Sequence, residues 1–133
     1  MEKMEKLCLD TNVLVNLLRN KQEEVMFIKE SESIYDLSIS SITLYELYYG
    51  ALKSNNSDKN MNKVKEITED LEILDFTSDC AEAAAIIQSN LEKSGNSIEI
   101  RDLFIASVAL KNDCKLKTGN KKHFDKIPNL TLV

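Results

Sequence analysis

The sequence predicts a single α/β domain: a central, mostly parallel sheet of four to five strands with helices on both faces. Three observations carry that expectation. Short apolar or alternating runs, which suit strands, are separated by stretches whose apolar residues recur at helical spacing. Strands alternating with helices in this way make a parallel sheet covered on both sides. The chain has 133 residues, 43% of them hydrophobic, which suits one domain over residues 1–133 with a real core. No internal repeat or linker-like composition shift divides it.

Leu7-Cys8-Leu9 is a short apolar run and reads as a buried first strand. The polar Asp10-Thr11-Asn12 that follows can cap a helix through Val13, Leu14, Leu17 and Leu18. Residues 22–31 continue helically, with Val25, Phe27 and Ile28 inward. Residues 36–40 alternate and predict the second strand; Ser40 or Ser41 then caps an apolar helix over residues 42–53. Ser54-Asn55-Asn56-Ser57-Asp58 is the clearest loop. A helix with Met61, Val64, Ile67 and Leu71 on one face comes next, and residues 71–76 supply a third strand. Thr77 or Ser78 opens an Ala-rich helix that runs to about Lys93, with Gly95 as its C-cap. Residues 100–110 form another helix, and residues 114–118 alternate as a fourth strand. Gly119-Asn120 turns, a short helix surrounds Phe124, and Pro128 precedes a last short strand over residues 130–133.

Composition excludes several classes of protein. Charged residues at 29% without long biased tracts argue against disorder, and no apolar run approaches a membrane span. The residues before the first strand carry no signal-peptide core, so a cytoplasmic location is expected. Cys8, Cys80 and Cys114 are an odd set without Cys-x-x-Cys spacing, which argues against a disulfide framework and a zinc site. Cys8 and Cys114 read as small core residues. His123 is the only histidine and reads as a surface or capping residue. The formal net charge of −5 gives no global attraction for nucleic acid. Residues 111–126, however, hold six Lys and two Asp, a local +4. Lys115, Lys117, Lys121 and Lys122 in that segment are either a solvated face or a phosphate-contacting rim.

Three carboxylates stand in apolar surroundings: Asp10 after the first strand, Glu46 in the third-helix segment, and Asp102 at the start of its helix. Burying such a group is costly unless a cation or donors meet it. Each has an ordinary reading as well. Asp10 suits an N-cap, Glu46 can snorkel or pair with a lysine, and Asp102 suits the positive end of a helix dipole. Glu99 shares a face with Asp102 if that helix begins early enough. Right-handed crossovers put the carboxyl ends of all the strands on one edge, where ligands of such sheets bind. Asp10 and Asn120 follow strands at that edge, and the helices bearing Glu46 and Asp102 begin near it. Oxygen donors without His or Cys select Mg2+ or Mn2+, ions that serve phosphoryl chemistry. A dehalogenase-like phosphatase would want an acid at position 12, where this chain has Asn12.

Four segments together carry a resemblance. They are Leu9-Asp10-Thr11-Asn12, then residues 40–50 around Glu46, residues 98–107 around Asp102, and residues 117–124 around Asn120. Their order and spacing resemble the PIN-domain ribonucleases, and within them the VapC-like toxins of prokaryotic toxin–antitoxin pairs. By that resemblance Asp10, Glu46 and Asp102 match acidic metal-binding positions, and Asn120 matches a fourth site that is often Asp. Glu99 then stands to supply the fourth carboxylate, and Thr11 and Thr118 look like hydroxyls that orient the acids. The resemblance implies Mg2+- or Mn2+-dependent endonucleolytic cleavage of RNA, a homodimer, and a small antitoxin partner. A catalytically inactive module that binds RNA or protein is the alternative.

Overall fold

In the computed structural model, which describes residues 4–133, the first apolar run becomes β1 (Glu5–Leu9). Asp10 then turns the chain into α1 (Thr11–Leu18). Asn20, at φ 55°, separates α1 from α2 (Gln22–Ser31), so the helical spacing on either side belongs to two helices. There follow β2 (Tyr35–Ser40), α3 (Ser41–Leu52), α4 (Ser57–Thr68) and β3 (Glu72–Leu74). The second half holds α5 (Ser78–Lys93), α6 (Ile100–Lys111), β4 (Lys115–Lys117) and the single turn α7 (Lys121–Phe124).

The four strands run in the order β3-β2-β1-β4, and every pairing is parallel. Leu7 stands opposite Leu37, Cys8 opposite Leu116, and Ile39 opposite Ile73. Because side chains alternate across a strand, β1 feeds both faces of the sheet. Leu7 and Leu9 pack with Val13, Leu14, Leu47 and Val64 of α1, α3 and α4. Cys8 faces the other way, among Ala84 and Leu91 of α5 and Leu103 and Ala106 of α6. Two layers of helices thus enclose one sheet, as the alternation of elements predicts.

Three strands are shorter than their sequence patterns, and the fourth in the chain, β4, keeps only Lys115–Lys117 of residues 114–118. In the third, Asp75 and Phe76 leave the sheet: the Phe76 amide donates to the Ser41 hydroxyl at 3.2 Å, and Thr77 caps α5. The expected last strand is one bridge, Leu132 to Leu116. Its partner β4 spans only three residues, so little edge is left to pair. The helix caps fall where polar residues meet apolar runs. The Ser40 hydroxyl accepts the Thr43 amide at 3.1 Å, and Gly95 at φ 78° closes α5.

Candidate active site at the carboxyl edge of the sheet

Asp10 leaves β1 at the carboxyl edge and is 4% exposed. Both carboxylate oxygens are met by donors. Oδ1 accepts the Thr11 amide at 2.8 Å, which makes Asp10 the N-cap of α1. Oδ2 accepts the Thr118 hydroxyl at 2.7 Å, and Thr118 Oγ1 in turn accepts the Asn120 amide at 3.0 Å. Thr118 follows β4, so this chain ties the ends of neighbouring strands together. Burial raises the Asp10 pKa, while the Thr118 and Thr11 donors and the charge of His123 oppose that rise.

Glu46 projects from the second turn of α3. Its Oε1 accepts the Thr11 hydroxyl at 2.8 Å. A hydroxyl carries one proton, so Thr11 must accept from Thr43, whose Oγ1 lies 3.0 Å away. Thr43 accepts in turn from the Ser40 hydroxyl at 3.4 Å. Three aligned hydroxyl dipoles from β2, α3 and α1 therefore point at one carboxylate, each polarising the next. Oε2 faces the Arg101 guanidinium at 3.4 Å.

Asp102 lies in the first turn of α6, where the unsatisfied amides favour an anion. Its Oδ2 stands 3.1 Å from His123 Nδ1. Burial raises its pKa first, and the charges of Asp10 and Glu99 add to the rise; the His123 hydrogen bond and charge oppose it. Asp102 thus feels the charge of Asp10. Glu99 is the N-cap of α6: its Oε2 accepts the Arg101 amide at 3.0 Å and the Asp102 amide at 3.2 Å. Its Oε1 lies 3.6 Å from Arg101 Nε, so Arg101 bridges Glu46 and Glu99.

The family model described as PIN domain matches residues 7–130. The chain belongs to the PIN-domain family. Among curated relatives, Ribonuclease VapC2 of Rickettsia felis is 36% identical over 126 residues, covering 93% of each chain. The tRNA(fMet)-specific endonuclease VapC of Salmonella typhimurium is 33% identical over 131 residues, covering 97% of each. A chain in the crystal structure of VapBC2 from Rickettsia felis bound to a promoter DNA fragment superposes with a TM-score of 0.89 at 34% identity, over 96% of both chains. These relatives place the chain among the VapC-like members of the family.

The acids of this PIN domain gather at one edge, but each is engaged by protein groups. Among the described residues, no three His, Cys, Asp or Glu side chains stand close enough to hold an ion as they are oriented. The expected convergence is therefore one of edge and charge rather than of coordination distances. The donor set still fits a hard divalent cation. It is made of oxygens, it is partly buried, and the charge of Asp10 raises the pKa of Asp102, as an unshielded anion does. Arg101 supplies positive charge that faces Glu46 and Glu99 here, and His123 supplies a hydrogen-bonding partner to Asp102.

The lysines divide. Lys115 starts β4, at the far end of the strand from the carboxylates. It pairs with Glu5 at 2.7 Å and lies over the Tyr35 ring, so the expected RNA rim does not extend to it. Lys117 lies over Phe27, against α2. Lys121 and Lys122 start α7 beside the site, and Lys122 lines the same small cleft as Asp102. Asn120 is the N-cap residue of α7, and its side chain makes no capping bond. Sequence reasoning missed Arg101 and undervalued His123. Both are exposed residues whose contacts cross from one element to another, and no local pattern marks them.

Proposed function

We propose that this PIN domain is a divalent-metal-dependent endoribonuclease, the toxin of a toxin–antitoxin pair. The observation that carries the reading is the set of Asp10, Glu46 and Asp102 at one sheet edge, each braced by donors from a different element. Asp10, Glu46 and Asp102 would hold Mg2+ or Mn2+, with Glu99 and Asn120 completing the rim. When bound, such an ion activates a water and stabilises charge on the phosphate. The chain's own residues do the positioning. Thr118 fixes the Asp10 carboxylate, and the Ser40-Thr43-Thr11 relay fixes Glu46. The Asn120 amide group can meet a phosphate oxygen, and Lys121 and Lys122 supply positive charge beside it.

Relatives were crystallised as VapBC complexes, and one such complex is a member of a family of toxin–antitoxin systems, which supports an antitoxin as the partner of this chain. One relative's name specifies tRNA(fMet), so tRNA is the first substrate class to offer. No described helix is long and apolar enough to cross a membrane.

The test is cleavage of unfractionated tRNA by the isolated protein with Mg2+, Mn2+ or EDTA. Ion-dependent cutting that falls at least 100-fold in Asp10→Asn and Glu46→Gln is expected. Equal cutting in EDTA rejects the reading. A second reading, a PIN module that binds RNA without cutting it, draws on Arg101 already facing Glu46; it requires RNA binding with no cleavage under any ion.

A further inference from the structure

Glu46 also lines a groove between α1, α3 and α4. Three cations line it: Arg19 at the end of α1, Lys53 at the end of α3, and Lys63 on α4. All three are exposed, and among the described residues none enters an ion pair. Glu46 is the one acid on the lining. On a chain of net charge −5, three unpaired cations on one groove are a local reversal of sign.

Aromatic rings stand beside them. Tyr45 and Tyr49, one turn apart on α3, are parallel to within 3° with ring centroids 6.1 Å apart, and both are more than half exposed. Lys53 Nζ sits 4.8 Å from the Tyr49 centroid. Exposed parallel rings with an ammonium alongside suit unstacked bases and their phosphates.

We propose that this groove carries the substrate RNA backbone to the site, with Arg19, Lys53 and Lys63 as phosphate-positioning residues and Tyr49 as a base-stacking face. The proposal deepens the ribonuclease reading and rests on it. The basic segment at residues 111–126 then supplies only the opposite flank, through Lys121 and Lys122. The scissile phosphate lies between two cationic shelves, past Glu46 on one side and Asp102 on the other. Val15, Leu18, Leu47, Ala51 and Val64 also line the groove, and it is the three cations against one acid, on a chain otherwise rich in acids, that favour a polyanion over a protein helix as the occupant.

Gly50 gives an independent handle. It lines the groove one turn beyond Glu46, and a Cβ built there meets nothing within 4 Å. A side chain can therefore leave the backbone here without an immediate clash and project from the groove lining.

The experiment measures binding of end-labelled unfractionated tRNA in EDTA, so that chemistry does not enter. The triple variant Arg19→Gln/Lys53→Gln/Lys63→Gln should bind about tenfold more weakly at moderate salt, and the slope of log K against log salt should fall by about two. Lys65→Gln, on another face of α4, should match wild type. Gly50→Phe should weaken binding while keeping the native circular dichroism. In cleavage assays the triple variant should raise KM with kcat within about twofold, as positioning residues do. Unchanged affinity and slope in the triple variant overturn the proposal, as does failure of wild type to bind tRNA. So does a triple variant that keeps tRNA affinity but no longer forms a complex with its co-expressed antitoxin, which would make the groove a protein seat. If wild type binds with these dependences yet cuts nothing with Mg2+ or Mn2+, the groove stands and the ribonuclease reading fails.

Discussion

Asp102 costs the ion-free protein stability when it is charged, since burial and the neighbouring carboxylates Asp10 and Glu99 all raise its pKa. An acid with a raised folded pKa holds its proton to higher pH in the folded chain than in the unfolded one. Its contribution is therefore most favourable below the unfolded value near 4 and is lost as pH rises through the folded value. Asp102→Asn removes that loss. At pH 7 without metal, the variant should show a higher urea midpoint than wild type. The difference should shrink as pH falls toward 4; a variant less stable at every pH would make Asp102 a structural residue. Thr118→Val should act the other way. It strips the donor from buried Asp10 Oδ2 and the acceptor from the Asn120 amide, at a cost of about 1–3 kcal/mol by the same measurement. The acids themselves were legible in the sequence because a carboxylate among apolar residues is conspicuous. Arg101 and His123 were not, because an exposed Arg or His is unremarkable until the fold brings a distant acid to it.

Elements were legible to the extent that their signals are local. The start of α3 at Ser40, the start of α5 at Thr77 and the turn at Gly95 follow from caps a few residues long. Gly95 closes α5 with a paired motif: its amide donates to the Glu92 carbonyl at 3.0 Å, and the Asn96 amide reaches the Leu91 carbonyl at 2.8 Å. At φ 78° an Ala side chain is strained whatever the surrounding space. Gly95→Ala should therefore cost about 1 kcal/mol, read as a lower urea midpoint at constant m. An equal midpoint would mean that the turn relaxes. Strand ends were less legible, because pairing is set by the neighbour rather than by the run itself. Residues 130–133 have strand-like residues, yet a three-residue β4 offers them a single bridge. Lys115 and Lys121 look alike as members of one basic segment. Lys115 begins β4 and Lys121 follows it, and because β4 runs parallel to β1 only Lys121 falls at the edge where Asp10 leaves β1.

Across the whole molecule, the fold gathers anions at one edge of a chain that is already net negative, −5. Arg101 between Glu46 and Glu99 offsets part of that charge from an exposed position. A divalent cation that binds the folded edge and not the unfolded chain must then stabilise the protein by mass action. At a concentration one hundred times its Kd the gain is about 2.7 kcal/mol, which raises Tm by several degrees for a domain of this size. Arg101 competes for the same carboxylate, so Arg101→Gln should lower the concentration of Mg2+ or Mn2+ needed to raise Tm. The double variant Asp10→Asn/Glu46→Gln should lose the response. Thermal melts in EDTA and across millimolar Mg2+ and Mn2+ decide the matter without reference to any RNA. A wild-type Tm that does not move with either ion, or that moves equally in the double variant, removes the metal from this edge, whatever the protein does to RNA.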